Sequence, residues 1–421
     1  MKNKNIVSKL VFIGAVILVL LVANVVIGSK ITDRKNVYEG AVADINSSAG
    51  GTFNSEGFSI AIPYEVYNTN YLGERTTKQS DGVYRIYPES VDYECTFSSE
   101  KRTLGIYSSP VFTGLLDVNA SFKNVTLPQN TPSTIYYTEK AYLIYKISDR
   151  NIMERPVFNV NKTENETYYK NQGICCNLAN YVVNPTSEYK ISASFKIRGA
   201  ENMNFWLNSS STTLAINGDW ASPGFTGYSY LPDERTLSED GFSAVWNIPF
   251  DAGDGSHSIG FNFIQPVNLY MKLQRANTYA FLFIIVPFIV LFMFEIFASI
   301  NLHPVNYLLS GAASVLFFLL LLSLSEHISF ISSYVIGAVA SGVLVSLYTA
   351  LITKKYKLGA VMAGIFVILY GYLLGCLQSE DYALLMGSIF AFVVLAVIMF
   401  MTSKIDWSNL KKMEHADLIE S

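Results

Sequence analysis

Apolar and polar residues are distributed unevenly along the chain, with apolar runs near both ends and an alternating pattern between them. Between Pro304 and Ser325 there is no charged residue. A helix of this length rises about 33 Å, which matches the ~30 Å hydrocarbon core of a bilayer. The segment is therefore predicted to span a membrane, with Pro304 in its first turn, where a missing N–H costs nothing.

Five further apolar runs predict a bundle of six spans. The run from Leu10 to Gly28 follows three lysines and lacks a small-residue cleavage site, which favours an uncleaved signal anchor over a cleaved signal peptide. With the span 304–325, the predicted spans after the anchor are 278–299, 304–325, 331–352, 358–377 and 382–402. The predicted domains are an anchor at 1–28, a β-rich domain at 29–276, a five-span domain at 277–403 and a tail at 404–421.

The middle of the chain shows the period-two pattern of half-buried strands. From Tyr189 to Arg198, apolar and polar residues alternate strictly. Similar runs, separated by clusters of Gly, Pro, Asn and Ser, lie at 58–66, 83–87, 104–122, 142–147, 242–248 and 259–263. Only Lys35–Ser47 suggests a helix in this region. The pattern predicts a large external β domain, mostly antiparallel and sandwich-like, attached to the α-helical membrane bundle.

Charge is segregated in the same way. Residues 29–276 carry 21 Lys and Arg and 26 Asp and Glu. The remaining residues carry 9 Lys and Arg and 8 Asp and Glu. This separation indicates a polar domain joined to a membrane domain, and neither is basic enough to suggest a nucleic-acid partner. Three lysines lie in the loop 354–357, whereas the loops Ser325–Ile328 and Gln378–Asp381 contain no Lys or Arg. By the positive-inside rule, both termini are predicted to be cytoplasmic and the polar domain periplasmic.

Small residues recur four apart on the predicted spans. They form one triplet, Ser333, Gly337 and Ser341, and two pairs, Gly359 with Ala363 and Gly371 with Gly375. Such spacing lets helix backbones approach closely, so it predicts tight helix packing. Few polar side chains are expected at mid-membrane depth, which argues against an ion channel or an ion-coupled carrier.

Ionisable residues in or beside the spans are the candidates for a functional site. Glu295 lies inside a span, where a charge is costly without a partner, and His303 across the hairpin is its predicted partner. Glu326, His327 and Asp381 are predicted at the opposite, outer mouth of the bundle and are the candidate catalytic residues. The alternative interpretation is that Glu326 and His327 only cap the helix or anchor it at the interface.

Recognised catalytic and metal-binding motifs do not accompany these residues. His303 and His327 are 24 residues apart, about 36 Å along a straight helix, which is too far for one metal ion. The chain contains no H-E-x-x-H, no G-x-S-x-G and no Walker-type loop. The sequence therefore predicts no metal site and no cofactor.

Three of the four cysteines lie in the polar domain. Cys95 and one of the adjacent pair Cys175 and Cys176 are candidates for a disulfide, and the alternative is that all three are buried free thiols. Three cysteines with a single His257 do not form a zinc pattern.

Several motifs resemble the CreD family of bacterial inner-membrane proteins. They are H-P-x-x-Y-L-L-x-G from His303, L-L-L-x-L-S-E-H ending at His327, A-L-L-x-G-S at Ala383–Ser388, K-I-D-W at Lys404–Trp407, and, in the polar domain, GFSIAIP at Gly57–Pro63 and W-x-x-P-x-F-x-G from Trp220. The resemblance covers almost the whole chain. It implies a multi-pass inner-membrane protein tied to cell-envelope integrity and stress response, and it supplies no reaction.

Two hypotheses about function follow. The first is a non-enzymatic envelope protein whose periplasmic domain binds or senses a lipid, glycan or protein. The second is a membrane enzyme or lipid transporter that uses Glu326, His327 and Asp381. The motif around Trp220 is either a contact loop or a core turn of the β domain. Its residues are Trp220, Pro223, Phe225, Pro232 and Arg235.

Overall fold

In the computed structural model, the chain divides into a helical unit and a β unit. The helical unit comprises Met1–Tyr38 and Val267–Ser421, and the β unit comprises Glu39–Pro266. The residues that the structure describes are 6–123, 125–178, 188–227, 230–249, 257–263, 269–298, 300–378 and 383–403. The first helix continues beyond its apolar run, and the division between the two units falls within this helix.

Seven α-helices lie in the described residues. They are α1 (Ile6–Ser48), α2 (Leu269–Thr278), α3 (Ala280–Phe297), α4 (Pro304–Ser325), α5 (Phe330–Thr353), α6 (Tyr356–Gln378) and α7 (Ala383–Thr402). Five stretches are long and apolar enough to cross a membrane, namely Val11–Ser48, Leu269–Phe297, α4, α5 and α6. The weakly helical pattern at 35–47 belongs to α1, which is a single helix of 43 residues.

The sixth predicted span, 382–402, falls on α7. Its apolar part within the described residues, Leu385–Val397, is shorter than the roughly 20 residues that a spanning helix needs. The part of the chain that the structure describes therefore contains five candidate spans, not the predicted six. The predicted spans 278–299, 304–325, 331–352 and 358–377 each coincide with a helix.

Local sequence explains where α4 begins and what packs on it. His303 is its N-cap, since Nδ1 accepts a hydrogen bond from the Val305 N–H at 3.3 Å, and Pro304 occupies the first turn. A Cβ at Gly311 would overlap the side chains of Leu20 on α1 and Phe288 on α3. The missing side chain of Gly311 therefore lets two other helices approach the middle of α4.

The described residues of the β unit form 17 strands in two mixed sheets. The strands are β1 (Phe53–Thr69), β2 (Arg75–Ile86), β3 (Ser90–Leu104), β4 (Tyr107–Phe122), β5 (Thr134–Tyr136), β6 (Tyr142–Ile147), β7 (Phe158–Val160), β8 (Thr163–Asn165), β9 (Tyr168–Lys170), β10 (Gly173–Asn177), β11 (Tyr189–Ala200), β12 (Asn202–Trp206), β13 (Ser211–Gly218), β14 (Pro223–Thr226), β15 (Glu234–Ser238), β16 (Gly241–Ile248) and β17 (Ser258–Phe263).

One sheet has the order β14-β17-β12-β1-β6-β10-β9, and β2 and β5 also pair with β1. The other sheet has the order β15-β16-β13-β3-β4-β11-β7-β8. The pairs β1–β12 and β3–β13 are parallel, and the other strand pairs described are antiparallel, so the prediction of a mostly antiparallel domain is confirmed. Buried residues from both sheets form one core that includes Phe58, Phe195 and Trp246.

The predicted strand at 104–122 is shorter in the structure. β3 ends at Leu104 and β4 starts at Tyr107, so the chain turns back between them. Gly105 adopts φ +62° in this turn, a left-handed conformation that glycine reaches at low cost. The apolar pattern continues through the turn, which is why the sequence suggested one strand.

Candidate functional site

Glu326 joins three helices of the helical unit. It is the C-cap of α4, and its side chain is 9% exposed. Its Oε1 accepts a hydrogen bond from the Tyr270 hydroxyl on α2 at 3.3 Å and lies 3.6 Å from Arg34 Nε on α1. We call Arg34, Tyr270 and Glu326 the Glu326 clamp. Because Leu20 and Arg34 meet α4 at its middle and its C-terminus respectively, α1 runs parallel to α4.

Other contacts hold the same end of the helical unit together. The Tyr38 and Tyr270 rings lie 5.5 Å apart, and Lys272 Nζ lies 5.8 Å from the centre of the Phe330 ring. Sequence reasoning singled out Glu326 but gave Arg34 no role in a site. The signal that it missed is a cation at the end of one apolar run that matches an anion at the end of another.

Two of the three candidate catalytic residues, Glu326 and His327, lie in the described part of the chain, and their side chains have different surroundings. The His327 side chain is exposed, whereas Glu326 faces Arg34 and Tyr270. Asp381 lies outside the described residues. The partners of Glu326 are a guanidinium and a phenol hydroxyl. This arrangement favours a structural ion pair over an acid–base pair.

Glu295 and His303 lie at the two sides of the α3–α4 hairpin. The Glu295 carboxylate accepts hydrogen bonds from the Tyr307 hydroxyl at 2.8 Å and from the Leu302 N–H at 3.3 Å. His303 uses its Nδ1 to cap α4, as described above. The charge of Glu295 is thus satisfied by donors from the next loop and helix, which meets the need for a partner inside a span.

The aromatic residues of the predicted contact loop pack into the β unit. Trp220 lies 5.3 Å from the ring of Phe263, and Phe225 lies 5.7 Å from the ring of Trp246. Phe225 belongs to β14, which starts at Pro223 and pairs with β17. Pro232 is half-buried, and Arg235, on β15, is exposed. For Trp220 and Phe225 these contacts correspond to the alternative, a core turn.

The cysteines of the β unit are free, buried thiols. The sequence left open either a disulfide or buried free thiols, and the cysteines here are buried free thiols. Burial raises the pKa of Cys95 to about 12, of Cys175 to about 11 and of Cys176 to about 12. A raised pKa leaves little thiolate at neutral pH, so none of the three resembles a reactive cysteine.

A second polar cluster lies on β1 and β2. The Glu65 carboxylate accepts hydrogen bonds from Lys78 Nζ at 2.8 Å, from the Tyr137 hydroxyl at 2.6 Å and from the Tyr67 hydroxyl at 2.7 Å. The bonds from Lys78, Tyr137 and Tyr67 lower the pKa of Glu65 to about 2. Tyr137 follows Glu65 by 72 residues, so no local sequence signal could have paired them.

A metal centre is not formed by the described residues, since no three His, Cys, Asp or Glu side chains come together there. The clamp and the Glu65 cluster both satisfy a carboxylate with protein donors. Their geometry is that of structural polar clusters, and the clamp has the further property of joining helices from different parts of the chain.

Comparison with known proteins agrees with the membrane architecture. A family model described as inner membrane protein CreD matches residues 5–408. Inner membrane protein CreD of Escherichia coli (strain K12) is 27% identical in an alignment that covers 94% of this chain and 92% of that protein. An M1 zinc metallopeptidase from Deinococcus radiodurans matches 46% of this chain and 53% of its own, at 8% identity and a TM-score of 0.24, a similarity too weak to carry an argument. On the evidence of the family model and the helices, this chain belongs to the CreD family of inner membrane proteins.

Proposed function

We propose that this chain is a non-catalytic inner-membrane protein that supports envelope integrity and the response to envelope stress. Its β unit would lie in the periplasm and bind or sense an envelope component. Membership of the family supports the location in the inner membrane. Lys354, Lys355 and Lys357 lie between α5 and α6 or in the first turn of α6, and they support this orientation by the positive-inside rule.

The Glu326 clamp is the observation that carries the proposal. α1 leads directly into the β unit, and α2 is the first helix after it along the chain. Glu326 contacts both of these helices from α4, which belongs to the bundle. A ligand bound to the β unit would act first on α1 and α2, and the clamp is the point where that change reaches α4.

The expected strength of the clamp suits this role. An exposed ion pair contributes at most about 1 kcal/mol, whereas breaking a buried one costs roughly 3–5 kcal/mol. Glu326 is 9% and Arg34 54% exposed, so the pair lies between these limits. An interaction of this size holds the resting arrangement and can still be overcome by ligand binding, because allosteric couplings are typically about 1–3 kcal/mol.

A second candidate function is a lipid transporter or a membrane enzyme that acts at the same end of the bundle. The observation that favours it is a groove of about 470 Å³ that opens beside Glu326. In such a protein the carboxylate of Glu326 would have a chemical role that a basic residue could not fill.

A charge swap separates the two functions. In cells that lack their own copy, Arg34→Glu and Glu326→Lys should each impair the envelope, seen as increased uptake of a membrane-impermeant dye. The double variant Arg34→Glu/Glu326→Lys re-forms an ion pair of opposite polarity and should restore at least half of the lost protection. Immunoblots of the inner membrane would confirm that all variants accumulate to similar levels.

The matched control is Glu154→Gln. Glu154 pairs with Lys196 at 2.6 Å, but both side chains are more than half exposed, so its loss should not affect dye uptake. If the double variant stays as defective as Glu326→Lys although it accumulates normally, the carboxylate itself is required and the non-catalytic proposal is wrong. If neither single variant changes dye uptake, the clamp has no role in envelope integrity.

A further inference from the structure

The groove beside Glu326 carries charges of both signs at one end. Lys30, Asp33 and Arg34 line it from α1, and Glu326 lines it from α4, all within the helical unit. The two cations and two anions balance. An interaction site for a purely anionic ligand would be expected to carry net positive charge, and this lining does not.

The rest of the groove is apolar and continues along α4. Leu322 and Leu319 line it, and they precede Glu326 by four and seven residues. At 1.5 Å per residue these side chains lie roughly 6 and 10 Å deeper along the helix axis. Leu319 is 42% exposed, so the apolar wall is open to its surroundings.

The position of the groove relative to the bilayer follows from α4. The uncharged segment Pro304–Ser325 is as long as the hydrocarbon core is thick, so Glu326, the next residue, lies at the boundary with the headgroups. The apolar wall then faces acyl chains and the charged end faces headgroups. A molecule that fills the groove must be apolar at one end and charged at the other.

The charged end keeps donors and acceptors available for such a molecule. Arg34 contacts Glu326 through Nε, and within the described residues no group accepts a hydrogen bond from its two Nη groups. Glu326 uses Oε1 for both contacts, and no described donor reaches its Oε2. Lys30 Nζ and Asp33 Oδ2 are 3.4 Å apart, and both side chains are more than half exposed.

We propose that this groove binds a phospholipid whose headgroup carries both a phosphate and a primary ammonium, as in phosphatidylethanolamine. The guanidinium of Arg34 and the ammonium of Lys30 would bind the phosphate, since guanidinium groups match phosphate geometry. The carboxylates of Glu326 and Asp33 would accept hydrogen bonds from the lipid ammonium. One acyl chain lies against Leu319 and Leu322.

The lining distinguishes this lipid from two others. An anionic glycerol headgroup would place no positive charge near Asp33 and Glu326. A choline headgroup has the positive charge but no N–H to donate to their oxygens. The order of affinity that follows is ethanolamine, then choline, then glycerol headgroups.

The proposal rests on the proposed function only in that both use Glu326. Its test measures lipid binding and not envelope protection, so the two can fail separately. A protein that couples its domains without selecting a lipid would pass the charge-swap experiment and fail the lipid assay.

Native mass spectrometry of the full-length, delipidated protein provides the test. Phosphatidylethanolamine, phosphatidylcholine and phosphatidylglycerol with identical acyl chains would each be titrated in turn. We expect the wild type to bind phosphatidylethanolamine at least threefold more tightly than phosphatidylglycerol. Lys30→Gln/Asp33→Asn leaves the Arg34–Glu326 contact intact and should reduce this preference, because only the carboxylate of Glu326 then remains for the lipid ammonium. Arg34→Gln should weaken phosphatidylethanolamine binding about tenfold.

The control is Lys357→Gln, which removes an exposed lysine from the first turn of α6 without touching the groove. It should bind all three lipids like the wild type. Equal affinity of the wild type for the three lipids would mean that the groove holds bulk bilayer lipid only, and the proposal would be wrong. A preference for phosphatidylglycerol, or an unchanged preference in Lys30→Gln/Asp33→Asn, would overturn it equally.

Discussion

Glu65 shows how a single carboxylate of this protein is stabilised by partners far apart in sequence. Lys78 lies on the neighbouring strand β2, and Tyr137 follows β5, which also pairs with β1. All of its donors favour the charged form, so the pKa of Glu65 falls from the usual 4.5 to about 2. A group with a lowered pKa stabilises the folded state only while it is ionised.

A pH dependence of stability follows from Glu65. The stabilisation is complete above about pH 4.5 and is lost as the pH falls towards 2, because the unfolded chain then takes up the proton first. Glu65→Gln should therefore unfold at lower urea than the wild type at pH 7, and the difference should vanish near pH 2. Tryptophan fluorescence of the full-length protein measures this, since Trp206, Trp220 and Trp246 lie in the β unit.

One outcome would contradict this account of Glu65, and a second variant tests the hydrogen-bond donors. A difference between wild type and Glu65→Gln that persists unchanged at pH 2 would show that the carboxylate acts by shape and not by charge. Tyr137→Phe removes one donor only and should shift the urea midpoint in the same direction by a smaller amount.

The sequence indicated which ionisable residues need an explanation but not what satisfies them. Glu295 and Glu326 were visible because a charge within or at the end of an apolar run is costly. Tyr307 and Tyr270, which donate to them, look in the sequence like any other aromatic residue at a membrane interface. The chemistry of a partner can be read from a pattern only when the pair is close in sequence.

At the scale of helices, spacing identified small residues but not their contacts. Gly337 lies against Phe317, and Gly359 lies against the chain near Ser346, as close packing requires. Gly371 shares the same four-residue spacing with Gly375, yet nothing lies within 4 Å of the position of its Cβ. The period shows which residues share a face of a helix, and only the fold decides which faces meet.

Gly311 tests this packing. In Gly311→Ile the new side chain would overlap Leu20 and Phe288, so α1 and α3 must move away from α4. Overpacking of this kind costs about 1–3 kcal/mol. Cys376, buried in α6, should then become accessible to a thiol reagent at lower temperature, as measured by mass spectrometry of its peptide in detergent.

Gly364→Ile is the matched control, because nothing lies within 4 Å of its Cβ position on α6. It should leave the labelling temperature of Cys376 unchanged. If both variants behave alike, helix propensity and not the close approach of α1 and α3 determines the effect at Gly311.

Strand pairing shows the same limit in the β unit. The alternating pattern of Tyr189–Arg198 predicted β11 well, because the period of a half-buried strand is local. The parallel pairs β1–β12 and β3–β13 join segments far apart in sequence, and alternation is the same for parallel and antiparallel neighbours. The sequence could therefore predict a large β domain and not the order of its strands.

At the scale of the whole molecule, the number of spans determines on which side of the membrane the C-terminus lies. The lysine distribution predicts a cytoplasmic N-terminus and a periplasmic β unit. From the periplasmic β unit, the four helices α3 to α6 would cross the membrane four times, so the chain would be on the periplasmic side after α6. A cytoplasmic C-terminus then requires α7 to cross, although its described apolar part, Leu385–Val397, is short for a span.

Protease accessibility in spheroplasts tests both the side on which the β unit lies and the number of spans. A protease site inserted in the turn at Tyr71, which is 95% exposed between β1 and β2, should be cut by protease added to intact spheroplasts. A site inserted between α5 and α6, next to Lys354, should be cut only after lysis, because this connection is predicted to be cytoplasmic. If the results at these two positions are exchanged, the orientation is inverted.

A C-terminal tag read in the same spheroplasts then counts the spans. A tag that is protected until lysis means that α7 crosses and that six segments span the membrane. A tag that is removed from outside means that only five segments cross, and α7 would lie along the surface or against the bundle. We expect protection, because three lysines, Lys404, Lys411 and Lys412, follow α7 in the sequence, and the positive-inside rule favours the cytoplasmic side for such a segment.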